Sequence, residues 1–225
     1  MEKIYTGKTK DVYKMESGNI CLKFKDDVTG KDGVFDPGEN QVGLKIDGAG
    51  REALKITKFF YELLNDRGIK THYLSANIDD NTMEVKNAHV FGEGLEAICR
   101  FRAVGSFIRR YGKYIEDGTP LDAYAEITLK DDERKDPLIT DEALEMLGIL
   151  TKDEYKTIIS MTKEIAKIVK EVLAEKGLDL YDIKFEFARD DDGEIMLIDE
   201  ISGGSMRVYK GDKKLSPLEI HSYLI

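Results

Sequence analysis

Tyr181-Asp-Ile-Lys-Phe-Glu-Phe187 alternates residue by residue, so Asp182, Lys184 and Glu186 share one face of a strand while Ile183, Phe185 and Phe187 share the other. One face is built for a core and the other for chemistry or solvent. The chain runs on through Asp190-Asp-Asp-Gly193 and returns through Ile195-Met-Leu-Ile198 to Asp199 and Glu200. Asp-Gly between two strand-like runs is a strong hairpin signal, because a type I′ turn needs positive φ at both central residues. Counting outward from a two-residue Asp192-Gly193 loop sets Glu186 directly opposite Asp199. Like charges opposed on a sheet cost up to about 1 kcal/mol unless a proton or a cation lies between them. Mg2+ suits such a place, since it takes one or two carboxylates together with phosphate oxygens and water. The alternative is that both acids are solvated on an outer face, or that a different loop length shifts the register.

Upstream of this hairpin, Thr151-Lys-Asp-Glu154 is a capping box that opens a long helix closed by Gly177, with Ile158, Ile165, Ile168, Val169, Val172 and Leu173 as its core face. Thr140 caps a short helix ending near Gly148, and the stretch before it reads as a polar connection. Strand-like segments lie at Leu95–Arg102, near Thr82–Val90 and at Ile69–Leu74. Ala53, Leu54, Ile56, Phe59, Phe60, Leu63 and Leu64 recur at helical spacing, with Gly68 at the C-terminal cap. Residues 26–50 hold six glycines and a proline and read as a long loop. Residues 1–24 read as two strands, IYTGKTKDVYK and NICLKF, joined by the Glu16-Ser-Gly-Asn19 turn. Strands, then helices, then strands again predict an α+β fold in one folding unit with two lobes.

With 34 basic and 44 acidic side chains the net charge is −10, which argues against a nucleic-acid binder. No apolar run reaches membrane-spanning length and MEKIYTGKTK lacks a signal-peptide core, so the cytoplasm is the expected location. Cys21 and Cys99 fall in apolar strands without metal-ligand spacing and are expected to be buried thiols. An anionic ligand would need a local basic pocket. Basic residues cluster at Lys8 and Lys10, and again at Arg100, Arg102, Arg109 and Arg110, although the plainer reading of a single such cluster is a solvated face.

Gly7-Lys8-Thr9 resembles the end of a P-loop, but Glu2 stands where that loop needs its first glycine. The glycine can instead let the backbone approach phosphates, with Lys8 and Lys10 as point charges; the plainer reading is a surface hairpin. Leu95-Glu-Ala-Ile-Cys-Arg-Phe-Arg-Ala-Val-Gly-Ser106 ends a strand in a glycine turn at Gly105, and Ser106 is placed to cap a short helix over Phe107–Tyr111. Strand-end arginines beside a helix start suit an anion, and capping alone would also account for Ser106.

Taken in order, these segments resemble the SAICAR synthetase family. The resemblance rests on GKTKDVY at 7–13, FKDDVTGKDG at 24–33, GIKTHY at 68–73, LEAICRFRAVGS at 95–106, KDDERKDP at 130–137, DIKFEF at 182–187 and DEIS at 199–202 followed by Arg207. It implies a β-rich nucleotide-binding lobe at 1–90 and an α+β lobe at 91–225 carrying metal and substrate residues, with ATP in the cleft between them. It also implies an ATP-dependent amide ligase that joins L-aspartate to carboxyaminoimidazole ribonucleotide (CAIR), giving SAICAR, ADP and phosphate. The expected cofactors are ATP and Mg2+. The resemblance assigns Gly7, Lys8, Thr9, Lys10 and Lys86 to ATP and Glu186 and Asp199 to the metal and to catalysis; Lys184, on the same strand face as Glu186, is expected to stabilise charge in catalysis. The resemblance also assigns Arg100, Gly105, Ser106 and Arg207 to the imidazole ribonucleotide and adds Lys130 and Asp136 on the substrate side. The expected partners are those small molecules and, as a homo-oligomer, further copies of the chain. Tyr223, Leu224 and Ile225 would suit a subunit interface.

The pattern departs from the family in several places. Asp199-Glu-Ile-Ser-Gly-Gly-Ser-Met-Arg207 lacks the proline and aspartate that usually follow the DEIS motif. Ala49-Gly50 replaces a lysine-glycine pair, Ala53 or Leu54 stands for an asparagine, and Leu215-Ser-Pro-Leu-Glu219 replaces the usual terminal segment. These changes admit a paralogous ligase with another carboxylate or amine, or a nucleotide-binding protein without ligase activity. A kinase is disfavoured by the lack of HRD and DFG patterns.

Overall fold

The computed structural model describes residues 1–31, 33–35, 38 and 41–225. In chain order its elements are β1 (Glu2–Thr6), β2 (Lys10–Lys14), β3 (Ile20–Phe24), β4 (Asp27–Lys31), β5 (Val34–Phe35), β6 (Val42–Lys45), α1 (Ala49–Asp66), β7 (Tyr73–Asn77), β8 (Thr82–Val85), β9 (His89–Val90) and β10 (Leu95–Arg102). There follow α2 (Ser106–Tyr111), β11 (Pro120–Leu129), α3 (Asp141–Met146), α4 (Lys152–Glu175), β12 (Asp179–Arg189), β13 (Ile195–Ile198), β14 (Met206–Lys210), β15 (Lys213–Lys214) and α5 (Pro217–Leu224). The fold is α+β. Among the described residues no helix is long and apolar enough to cross a membrane. The chain forms two compact units: Met1–His89 with Arg189–Ser205 and Ser216–Ile225, and Val90–Ala188 with Met206–Leu215.

The first unit holds an antiparallel sheet in the order β1-β2-β3-β8-β7. Against it lies α1, which buries Leu54, Ile56, Phe60, Tyr61 and Leu64 and ends as expected at Gly68, where the Ile69 N–H bonds to the Leu64 carbonyl at 3.0 Å. The first expected strand is two strands. Gly7 breaks it, its N–H bonding to the Lys10 carbonyl at 2.8 Å across a turn so tight that a Cβ at Gly7 would sit 2.9 Å from that oxygen. The expected loop at 26–50 contains a small sheet, β5-β4-β6. Its glycines conceal the alternation, yet they permit the pairing, because a Cβ at Gly43 would lie 2.4 Å from the Gly30 backbone. Part of that loop reading, including Asp36 and Pro37, lies outside the described residues.

The end of the chain also differs from expectation. Ser216 and Glu219 form a capping box with Pro217 in the first turn, and α5 packs on α1. Leu224 is consequently buried within its own unit, so of the three residues expected at a subunit interface only Ile225 is strongly exposed.

In the second unit the sheet runs β11-β10-β12-β14-β15. The register pairs Glu96 with Glu186, Ile98 with Lys184 and Arg100 with Asp182. Alternation then sends Ala97, Cys99, Ile183, Phe185 and Phe187 to the core, while the charged residues share the opposite face. The α4 helix, opened by the Thr151–Glu154 capping box, lies on β10 and β11 with Ile158, Ile165, Ile168, Val169 and Leu173 buried. Val172 is only half-buried. Both cysteines are free and buried, as expected. The edge strand β11 stands where a polar connection was expected: its Pro, Asp, Ala and Glu are poor strand formers, and its pairing with β10 supplies what propensity lacks.

The turn after β12 is one residue longer than expected. The Asp190 N–H bonds to the Glu194 carbonyl at 2.9 Å and the Gly193 N–H to the Asp190 carbonyl at 3.0 Å, with Gly193 at φ 84°. The Asp190 carboxylate stabilises this three-residue loop by accepting from the Asp192 and Glu194 N–H groups at 3.0 and 2.8 Å. A one-residue change moves every partner by one, so the count that set Glu186 opposite Asp199 does not hold. Asp199 lies beyond the end of β13, at φ 67°.

Urea unfolding checks the placement of the core. Phe185→Ala should lose about 3–5 kcal/mol through the cavity it leaves. Thr151→Ala, which removes only a capping hydroxyl, should lose about 1 kcal/mol. Equal losses would contradict the core position of Phe185.

Candidate functional site

The first unit gathers its charges around Lys10. The β1–β2 turn is tied to Lys25, whose ammonium donates to the Gly7 carbonyl at 2.9 Å and whose N–H donates to the Thr9 carbonyl at 2.8 Å. Lys10, 8% exposed, extends its ammonium over the Phe24 ring to Asp199 Oδ1 at 3.0 Å and Glu200 Oε1 at 2.5 Å. Burial alone would lower the Lys10 pKa, but the two carboxylates outweigh it and hold the group charged. Lys8 is half-buried in the turn itself. Lys86 is exposed just past β8, its N–H donating to the His72 carbonyl at 2.8 Å. Glu200 was absent from the expected site; its only signal was adjacency to Asp199.

In the second unit the charged face of the sheet carries two groups. One centres on Arg100, 1% exposed, which uses all five of its N–H donors. Nε and Nη2 donate to Glu126 Oε1 at 3.1 and 2.9 Å, Nη2 also to Ser106 Oγ at 2.8 Å, and Nη1 to Asp182 Oδ2 at 2.6 Å and the Val104 carbonyl at 3.2 Å. Ser106 is therefore the first residue of α2 and binds Arg100; contrary to expectation its hydroxyl caps no helix. Arg207 donates to the same Asp182 oxygen at 2.7 Å, and Arg110 pairs with Glu126. Three guanidinium groups thus face two carboxylates, an excess of positive charge suited to an anion. Gly105, at φ 59°, lies flat against Arg207: a Cβ there would come within 2.9 Å of both terminal nitrogens. The structure therefore brings Arg100, Gly105, Ser106 and Arg207 together. Asp182 and Glu126, which hold them, were missed because nothing in strand alternation marks a buried ion partner.

The second group lies along the same face. Lys184 pairs with buried Glu96 at 2.7 Å, and Lys130 with Glu186 at 2.7 Å. Burial works against the charge on Lys184, but Glu96 and Glu186 raise its pKa overall, so it stays protonated. Asp136 accepts the Asp131 N–H at 2.8 Å and closes the 131–136 turn next to Lys130. Each of the two expected metal acids thus has an ammonium partner, Lys10 on Asp199 and Lys130 on Glu186. Among the described residues no three His, Cys, Asp or Glu side chains converge on one point. Such hard oxygen donors, without an all-protein cage, fit Mg2+, which keeps water and substrate phosphates in its shell.

The family model for SAICAR synthetase matches residues 3–219. The phosphoribosylaminoimidazole-succinocarboxamide synthase of Clostridium tetani is 58% identical over the whole of both chains. Among solved structures, the synthase from Ehrlichia chaffeensis superposes with a TM-score of 0.86 at 28% identity, covering 98% of this chain and 95% of that one. A SAICAR synthetase solved in complex with ADP gives a TM-score of 0.84 at 29% identity, covering 97% and 94%. The chain belongs to the SAICAR synthetase family.

Proposed function

We propose that this chain is an ATP-dependent carbon–nitrogen ligase that joins the amine of L-aspartate to the carboxylate of CAIR, giving SAICAR, ADP and phosphate. The observation that carries the reading is 58% identity, over the whole of both chains, to a chain named phosphoribosylaminoimidazole-succinocarboxamide synthase. The relative solved with ADP supports ATP as the nucleotide.

The reaction needs the carboxylate made electrophilic. Transfer of the terminal phosphoryl group to it forms an acyl phosphate and ADP; attack by the aspartate amine then forms the amide and expels phosphate. A protein contributes to this by positioning both reactants and neutralising charge. In the proposal Lys8 and Lys10 face the phosphates from the β1–β2 turn, whose Gly7–Thr9 backbone is held by Lys25. Lys86 stands on the nucleotide side. Asp199 and Glu186 are the metal-side acids, and Mg2+, when bound, would neutralise phosphate charge there. Lys184, held protonated, stabilises developing negative charge. The ribonucleotide takes Arg207 and Ser106 as direct contacts, with Arg100 holding Ser106 and Asp182 in place and Gly105 leaving room for Arg207. Lys130 and Asp136 belong to the substrate side.

Incubation of the protein with ATP, Mg2+, L-aspartate and CAIR should yield ADP and the succinocarboxamide in equal amounts. ADP formed only with another carboxylate or amine would assign it instead to a paralogous ligase, the reading that the altered Gly203–Met206 stretch admits. Glu186→Gln and Asp199→Asn should each lower kcat by about a hundredfold or more, as loss of charge stabilisation does, with circular dichroism unchanged; wild-type rates in both would refute the pair. Arg207→Ala should raise the KM for the ribonucleotide at least about tenfold, the loss of one charged hydrogen bond, while the KM for ATP stays near wild type. Equal effects on the two would undo the assignment of Arg207.

A further inference from the structure

We propose that α5 is a strap for the segment that carries Asp199, and that Gly203 is the positioning residue on which the strap is seated. The proposal rests on the reading of Asp199 as a metal-side acid. Gly203 is buried, and a Cβ there would stand 2.6 Å from the Cα of Pro217, 2.9 Å from its Cβ and 3.2 Å from its carbonyl oxygen. The nearest of these atoms is backbone, so the first turn of α5 lies against residue 203 at a distance that only glycine allows. The φ of Gly203 lies outside the left-handed region. Close approach, and not backbone freedom, is therefore what glycine provides here.

The turn that α5 meets is closed on itself. The Ser205 N–H donates to the Ser202 carbonyl at 3.0 Å, and the Ser205 hydroxyl donates to the same oxygen at 3.1 Å. That hydroxyl also accepts the Ser202 N–H at 3.2 Å, while the Ser202 hydroxyl accepts the Gly204 N–H at 3.0 Å. Both serines are buried, so water does not compete for these bonds. A turn satisfied from within moves as one piece, and a contact at Gly203 is felt along the whole of 202–205.

The strap is itself anchored to α1. Ile220 and Leu224 are buried, the Ser216–Glu219 capping box fixes the first turn, and the His221 imidazole lies against the Glu52 carboxylate, which also takes the Lys55 ammonium at 3.1 Å. From α1 the Tyr61 and Thr57 hydroxyls donate to the Ile198 and Ile201 carbonyls at 2.9 and 3.1 Å. The segment is thus held at 198 and 201 by α1 and at 203 by α5. Asp199, at φ 67°, lies between these points, and a strained backbone of that kind persists only where its surroundings over-determine it. Every residue of the arrangement, Lys10 included, belongs to the first unit. Releasing α5 would remove the hold on the side of Asp199 and Glu200 that leads into the turn. By contrast, a Cβ on the neighbouring Gly204 would meet only the Ser202 hydroxyl, at 3.3 Å, and leave the seat of α5 untouched.

The test measures two things on Gly203→Ala, Gly204→Ala, Ile220→Ala and Asp199→Asn: amide hydrogen exchange across 199–205 and α5, and the Mg2+ concentration giving half-maximal ADP binding by calorimetry. Gly203→Ala should speed exchange in both segments about fivefold or more, the low end of what an overpacked contact exacts. It should also raise the Mg2+ requirement about tenfold, the low end for losing the support of a metal ligand. Gly204→Ala should stay within about twofold of wild type in both measurements. Ile220→Ala, which loosens α5 from α1 without touching the turn, should shift both in the same direction as Gly203→Ala. Wild-type exchange in Gly203→Ala, or a Gly204→Ala variant equally impaired, would overturn the proposal. So would an Ile220→Ala variant whose exchange quickens in α5 but not in 202–205. Faster exchange in Gly203→Ala with an unaltered Mg2+ requirement would make α5 a packing element only and overturn its positioning role. Should Gly203→Ala fail to fold, Ile220→Ala decides by the same criteria. If Asp199→Asn itself leaves the Mg2+ requirement unchanged, the metal-side reading of Asp199 falls, and exchange in the Gly203 and Ile220 variants still decides whether α5 holds the turn.

Discussion

A buried ammonium is the constraint on which the first unit depends. Taking Lys10 out of water costs several kcal/mol unless paired charges and hydrogen bonds replace its hydration. The replacements are Asp199 and Glu200, the latter 190 residues away in sequence. The opening hairpin and the acidic segment after β13 therefore form one object, and neither is satisfied without the other. Asp199 keeps a left-handed backbone at φ 67° beside this pairing, and the Tyr61 and Thr57 hydroxyls of α1 donate to the Ile198 and Ile201 carbonyls on either side of it. In the proposed function an acid and a lysine would stand at fixed separation before the phosphates, and the burial of Lys10 between Asp199 and Glu200 holds that separation.

The second unit solves a similar problem with strand register. Once β10 and β12 are paired, period-two alternation places Arg100 beside Asp182 and Glu96 beside Glu186, all on the face opposite Phe185 and Phe187. Arg100 is fully occupied by protein acceptors, so it acts as the keystone that orients Ser106, Glu126 and Asp182. Arg207, resting on Gly105 and sharing Asp182, is less deeply buried than Arg100, at 9% exposure against 1%. Removing either member of so buried a set would leave an unpaired charge, which makes the cluster stiff as well as cationic.

Much of this was legible in the residues themselves. Alternation in Tyr181–Phe187 sorted core from charge correctly, the capping box at Thr151 and the glycines at Gly68 and Gly177 bounded their helices, and the ordered motifs identified the family. Legibility failed where a distant partner decides the outcome. Strand β11 is written in poor strand formers and exists through β10; the β4–β6 pair depends on two glycines meeting; the Asp190 carboxylate lengthens a turn that Asp-Gly alone would make shorter. Ser106, expected as a cap, is instead the first residue of α2 and accepts from Arg100. Glu96 and Glu126 matter through what faces them across the sheet, Lys184 for the one and Arg100 for the other.

The central claim is that the Lys10–Asp199 constraint presents a metal-side acid to the phosphates of ATP. Anomalous diffraction from crystals grown with Mn2+ and ADP tests it most directly. The account predicts a metal peak about 2.0–2.2 Å from an Asp199 carboxylate oxygen, an oxygen-ligand distance for a hard divalent ion, with Asp199 still at positive φ. A metal peak ligated by other acids, with Asp199 remaining only a partner of Lys10, would contradict it.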